Sequence, residues 1–511
     1  MTVKPLGTPP TTFAEITAQE KSLTLPHFTA EDAFEIGVLI RNRLREVAEQ
    51  AAVINITLAN NKQLLFHAAS RPGTVPENDN WVARKRNFVL RFGWSSWAGH
   101  NLFDKGNEET FKARFQLGET AGDYAIHGGG FPCASFNMPT EFISLTFPNG
   151  STELNPIPGA GIDLDYLIRY ARTLDDYEFN YTLVPYGSSL YDPFTVGATI
   201  AAVTKKLKVI IALRPNTLYP TVAAKALATL DQVSRGRAVV HFIAGGSDAD
   251  QAREGDFLNK EQRYERQEEY IKILRRAWAS SEPFDWDGKY YQFKDFSNGV
   301  RPFNNNHIDV SVGGSSDDAY RIGGALADIF GLWGEPLKET KEQIDRIYAE
   351  AEKAGRTDRP RIWVTFRPIV AETDELAWAK AHRTLDALNK NSPKGTGLNA
   401  PAAGAPQNVG SQRLLEIAKR GDVQDRALWY PTVTATNARG ASTALVGSYQ
   451  TIIDSLLDYV DLGAELISIR GYDNYNDVVD YGRYILPGVR AVLKQREQGT
   501  NGEQGTNGAS S

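Results

Sequence analysis

The stretch ALRPNTLYPTVAAKALATLDQVSRGRAVVHFIAGGSD, residues 212–248, followed by RYERQEEYIKILRRAW, residues 263–278, decides the fold of this chain. It reads as a buried strand at 209–213, a helix, a second buried strand at 238–243 and a polar Gly-Gly-Ser-Asp loop. Apolar runs of strand length that alternate with helical periods are the pattern of a parallel sheet covered on both faces. Polar groups directly after such strands mark the catalytic face of a βα fold.

Working outward, the same signal recurs. Strands are expected at 142–147, 181–184, 207–213, 238–243, 308–312, 329–332, 362–369 and 466–469, with helical periods at 164–174, 222–230, 264–278, 338–354 and 375–388. Eight strands alternating with helices make a (β/α)8 TIM barrel. Two long insertions interrupt it, 281–306 and 390–412, and connections of that length are lids or disordered segments.

The first part of the chain reads differently. Residues 29–47 carry an amphipathic helical pattern with Thr29 as its N-cap, and runs at 52–58 and 63–68 flank the turn signal Asn60-Asn61. Helix followed by hairpin indicates a small α+β domain. The polar, Gly-rich ends are expected to be disordered. The predicted organisation is therefore a tail over 1–25, an α+β domain over 26–138, a barrel over 139–495 and a tail over 496–511. Strand 142–147 is contested between the domains, and the barrel claims it, because an open barrel would leave a long unpaired edge.

Composition narrows the function. A net charge of −6 provides no basic field for nucleic acid or an anionic membrane, and no apolar run spans a bilayer. The opening MTVKPLGTPPTTF lacks the two halves of a secretion signal, so a cytoplasmic location is expected. The single cysteine, Cys133, excludes an internal disulfide and a thiolate metal cage. Seven scattered histidines without HxH or HExxH spacing predict no metal site, and no GxSxG elbow points to a hydrolase.

Five phrases in the second half carry a family resemblance: the RYE helix from Arg263, GGSSDDA at 313–319, LWGEP at 332–336, STALVG at 442–447 and RGYDNYNDVVDYG from Arg470. Over roughly residues 141–492 the chain resembles the bacterial-luciferase-like flavin monooxygenases, most closely their alkanesulfonate monooxygenase branch. NDNWVARKRNFVLRFGWSS at 78–96 and YAIHGGGFPC at 124–133 resemble the small α+β haem-degrading-domain proteins. Arg84, Lys85 and Arg86 with His127–Gly130 read either as an anion site or as a basic face beside a Gly turn. The family's further strand and helix do not follow the HGG motif here, so this domain is expected to be incomplete.

The barrel resemblance implies reduced FMN as co-substrate, supplied by a separate NAD(P)H-dependent reductase, with O2 and a small organosulfur compound as the other reactants and a homo-oligomeric state. It implies a lid at the second insertion, NSPKGTGLNAPAAGAPQNVG, with a disordered spacer as the alternative. Backbone N–H groups that can approach a phosphate are what GGSSDDA offers at a helix start. The resemblance assigns Gly313, Gly314, Ser315 and Ser316 to that role, with Tyr264 and Ser247 assisting.

The oxygen chemistry belongs largely to the cofactor; the protein must exclude water and supply positive charge or donors. Candidates at strand ends are His241, Arg367, Arg439 and Tyr472, with Arg214 and Asn149 behind them. Taken singly, each arginine reads as a surface or ion-pair residue, whereas several on one barrel face would read as a site. The chain departs from the alkanesulfonate pattern where a cysteine follows strand two, here Leu190, and in strand seven, where Thr365 and Arg367 replace an arginine and a histidine. An asparagine common in strand four is His241. These departures leave open a different substrate, a flavin-binding protein without turnover, or a ligand-binding module carrying a degenerate barrel.

Overall fold

The computed structural model describes residues 140–303, 307–391 and 405–503, together with the strands Thr2–Pro5, Ala52–Thr57 and Gln63–Ala68. The chain divides into two compact units, residues 1–134 and 135–511. In the first, the three strands form an antiparallel sheet, with Ala52–Thr57 in the centre. The hairpin is the one that the turn signal predicts. Thr2–Pro5 lies within the stretch expected as a tail and instead pairs with Ala52–Thr57. The helix expected at 29–47, the 84–86 and 127–130 segments and Cys133 lie outside the described residues.

In the second unit, eight parallel strands close into a barrel. They are β1 (Glu141–Leu145), β2 (Tyr181–Val184), β3 (Lys208–Leu213), β4 (Ala238–Phe242), β5 (Asp309–Gly313), β6 (Ile329–Trp333), β7 (Arg361–Ala371) and β8 (Ala464–Ile469). Each pairs with its sequence neighbours, β8 pairs with β1, and the pairing of β6 with β7 completes the ring. The contested strand is β1, bonded between β8 and β2. Alternate residues face inward, as strand geometry requires, and Ile143, Tyr181, Ile210, Val239, Ile329, Trp363 and Leu466 fill the interior.

Outside the strands lie α1 (Leu164–Asp176), α2 (Pro193–Val203), α3 (Pro220–Ser234), α4 (Lys260–Ala279), α5 (Asp317–Leu326), α6 (Leu337–Lys353), α7 (Asp374–Asn391), α8 (Tyr449–Asp461) and α9 (Leu486–Glu503). The buried faces of all of these but α7 and the outward strand residues make one large core, while Ala377, Ala381 and Leu388 of α7 pack in a separate cluster with Ile369, Ala444 and Tyr472. α9 passes the boundary expected at 495, because Leu486, Val489 and Leu493 anchor it to that core. No helix among the described residues is long and apolar enough to cross a membrane.

Two features differ from the expectation. Insertion 281–306 contains a hairpin, Phe284–Asp287 with Gln292–Phe296, and is not simply a loop. Phe284 and Tyr291 are buried in the main core, which ties the hairpin to α4. Strand β7 is also longer than expected. Its first half pairs within the barrel, while Arg367–Ala371 pairs with Ala444–Ser448, the STALVG phrase, in a side sheet. In the second insertion, residues 392–404 lie outside the described residues, and Asn408 caps a helix at Val409–Ala418.

Candidate active site

The C-terminal ends of the strands assemble three groups of side chains. The first follows β5. Gly314 has φ +139°, a conformation that favours glycine, and a Cβ there would lie 2.9 Å from the Cβ of Ala319 and 3.5 Å from the Tyr264 hydroxyl. Ser316 caps α5 by accepting from the Ala319 N–H, and its hydroxyl stands 3.2 Å from that of Tyr264, which α4 buries. Ser315 donates to Gln343 on α6 at 3.1 Å.

Backbone donors, two hydroxyls and a phenol thus surround a helix start. Asp317 in the first turn would oppose an anion there, but it is paired with Arg346 at 2.7 Å. Ser247 does not bond to this group; it caps the short helix Asp248–Ala252. Arg263 links that loop to α4, donating to the Ala244 carbonyl at 3.0 Å and to Asp248 at 2.8 Å.

The second group is the floor. His241 on β4 shares a 2.9 Å hydrogen bond between Nδ1 and the Ser311 hydroxyl, and its ring lies 5.2 Å from Trp363. Gly313 lets the imidazole come close, since a Cβ there would sit 3.1 Å from Cε1. Burial pushes the His241 pKa down to about 4, so the ring is neutral at physiological pH.

The third group is cationic. Arg367, 1% exposed, forms an ion pair with Glu153, donates to the Gly471 carbonyl at 3.0 Å and stacks 3.6 Å above the Tyr472 ring. Arg470, at the end of β8, and Arg439 act on the same carboxylate. Burial pushes the Glu153 carboxyl up, but the charges of Arg367, Arg470 and Arg439 outweigh it, and its pKa lies below the usual range. Burial and the neighbouring Arg367 charge bring Arg470 down to about 10. The charges of three guanidiniums therefore act on one carboxylate, and Arg367 is in direct contact with it. Arg367 Nε, the Tyr472 hydroxyl and the Ser442 hydroxyl are buried with no hydrogen-bond partner among the described residues.

Arg367 and Tyr472 are brought together, while Arg439 is linked to them through its charge acting on Glu153. Arg214 is not part of the group: its guanidinium is paired with Asp250 and Glu254. Asn149 braces its own loop, donating to Gly161 and accepting from Ser151. Sequence reasoning missed Arg470 and Glu153. Arg470 had a usable signal, because it directly follows a barrel strand; Glu153 sits in an irregular loop with none. At the opposite barrel end His307, Asp309 and Asp328 form the metal-compatible trio found among the described residues, but Arg275 already holds Asp328 at 2.7 Å.

With this geometry in place, the comparisons with known proteins are decisive. Residues 140–466 match the family model described as luciferase-like monooxygenase. The chain belongs to the luciferase-like monooxygenase family. Residues 28–142 match a second model, haem degrading protein HbpS-like. Among solved structures, a riboflavin lyase (RcaE) with modified FMN and riboflavin has a TM-score of 0.57 at 18% identity, over 70% of this chain and 92% of that one. DmoA from Hyphomicrobium sulfonivorans scores 0.56 at 19% identity, over 70% and 88%. An EDTA monooxygenase (EmoA) from Chelativorans sp. BNC1 scores 0.55 at 17%, over 70% and 94%. At such identities these structures establish the shared barrel fold. In this luciferase-like chain the loop after β5 and the arginine cluster both lie on the barrel face where βα loops carry catalytic groups.

Proposed function

We propose that this chain is a reduced-FMN-dependent monooxygenase that oxygenates a small organosulfur anion of the alkanesulfonate kind, with flavin delivered by a separate NAD(P)H-dependent reductase. The observation that carries the reading is the buried Arg367–Glu153 ion pair at the barrel mouth, on which the charges of Arg470 and Arg439 also act. The charge of Arg470 beside the Arg367–Glu153 pair favours an anionic substrate, and guanidinium forks match paired oxygens.

The residues fit FMN. Gly314 leaves the space that a Cβ would fill, and the N–H groups entering α5, with Ser315, Ser316 and Tyr264, are suited to the phosphate. Ser247 would assist from the neighbouring loop. When bound, reduced FMN would supply the activation of O2. His241, neutral and half-buried, contributes an uncharged floor. Tyr472 has a hydroxyl available to donate near the cations, and Arg367 holds the substrate head and developing negative charge. If the head is a sulfonate, oxygenation of the carbon bearing it would end in C–S cleavage and release of sulfite.

We also read the chain as a homo-oligomer. Val222 and Val233 are exposed eleven residues apart on α3, which is three helical turns and therefore one face. The enzymatic reading is tested by supplying reduced FMN from a flavin reductase, O2 and a panel of sulfonates, and measuring sulfite. Substrate-dependent sulfite release is expected; flavin oxidation at one rate with every sulfonate and no sulfite contradicts the reading.

A further inference from the structure

Glu153 is an unusual member of the cationic group. Two of the arginines are fixed: the Arg367 N–H joins the Thr443 carbonyl at 2.9 Å and its guanidinium is clamped between Gly471 and the Tyr472 ring, while the Arg470 N–H reaches Phe366 at 3.3 Å and its guanidinium donates to the Ala441 carbonyl at 3.2 Å. Glu153 lies in the irregular connection between β1 and α1, followed by the exposed Ile157. Its backbone is held by Asn391, whose amide donates to the carbonyls of Glu153 and Leu154 at 3.1 and 2.8 Å. Asn474 reaches the Ser151 carbonyl at 3.4 Å. None of these bonds involves the carboxylate, so the side chain can leave the cations by rotation while the strands stay paired.

We propose that Glu153 is the resident anion of the substrate seat: its carboxylate occupies the place that the substrate's anionic head takes, and the head enters by exchange with it. This rests on the anionic substrate proposed above and names the specificity-determining residue of that site. The exchange favours a head with three oxygens over a planar carboxylate. Arg367 Nε and the hydroxyls of Tyr472 and Ser442 stay without partners while Glu153 is in place, and Ser442 adjoins Thr443, the residue bonded to Arg367. A third oxygen gives those donors an acceptor. A tethered carboxylate competes at an effective concentration on the order of millimolar. Weak binders are thereby rejected, and the cations stay matched between turnovers.

The test is calorimetric titration of the full chain with methanesulfonate and with acetate, for the parent, Glu153→Gln and Arg470→Gln, alongside thermal melts. Removing the competitor should tighten methanesulfonate binding by about tenfold or more, the scale of a charge-assisted hydrogen bond. Acetate should gain less, and Arg470→Gln should weaken methanesulfonate. Glu153→Gln should melt lower than the parent and recover more when methanesulfonate is added. If it is recovered only by refolding, a higher yield with methanesulfonate supports the exchange and an unchanged yield overturns it. Binding in Glu153→Gln that is no tighter than in the parent also overturns it, leaving Glu153 an architectural ion-pair partner. Reduced-FMN binding is measured on the same preparations; its absence in the parent would refute the monooxygenase reading and leave the titration outcome standing.

Discussion

Replacing Arg367 by alanine tests the energetic centre of the site. The side chain is 1% exposed and its partner Glu153 is only partly so. Removing one member of a buried pair commonly costs about 3 to 5 kcal/mol, because the other charge is left uncompensated. Here Arg470 and Arg439 still act on Glu153, which places the expected loss at the low end, about 3 kcal/mol. The stacking on Tyr472 at 3.6 Å adds to the loss without being separable from it. The assay is chemical denaturation of Arg367→Ala, Glu153→Gln and the double variant, since a cycle isolates the pair. The double variant should lose clearly less than the sum of the singles. Turnover of Arg367→Ala should fall roughly ten- to a hundredfold, the scale of a lost hydrogen bond to a charged group, with reduced-FMN binding largely retained. Additivity within about 0.5 kcal/mol together with unchanged kinetics would refute both the coupling and the catalytic role.

Three further predictions follow from other parts of the barrel. Gly314→Val places a branched side chain where a Cβ already meets Ala319 at 2.9 Å, so equilibrium binding should show a large loss of affinity for reduced FMN in a folded protein; parent-like affinity would move the phosphate site elsewhere. His241 has a folded pKa of about 4, below its ordinary unfolded value of about 6.5. Its stabilising contribution is therefore complete above about pH 6.5 and is lost as pH falls towards 4, at most roughly 3 kcal/mol. His241→Asn should flatten that part of the stability profile, and an identical profile would show that desolvation does not lower the pKa of the imidazole. A chain of residues 140–495 should melt cooperatively and bind reduced FMN, while residues 1–139 alone should be poorly soluble. Aggregation of the former with a cooperative melt of the latter would return β1 to the first domain.

The barrel was legible because parallel strands buried on both faces read as continuous apolar runs, such as VIIAL at 209–213 and AVV at 238–240. The extension of β7 and its partner Ala444–Ser448 were not, since a short apolar run does not reveal which strand it will pair with. The hairpin in the first insertion had a readable cue, the Asp287-Gly288 turn between alternating aromatic strands, but length alone suggested a loop. In the site, the glycines and serines after β5 were readable because backbone approach to an anion demands those residue types locally. The arginine cluster was readable only in part. Arg367 and Arg439 are more than seventy residues apart, and Glu153 follows β1, 214 residues before Arg367, so only the closure that sets β1 beside β8 and β7 reveals that one carboxylate is shared.

The central claim is that the chain inserts oxygen into an organosulfur anion at the expense of reduced FMN. It is tested most directly by mass spectrometry of the product formed from isotopically labelled O2, reduced FMN and a sulfonate that releases sulfite. The account predicts one labelled oxygen atom in the product and the other in water. Products without label, with all the consumed O2 recovered as hydrogen peroxide, would contradict it.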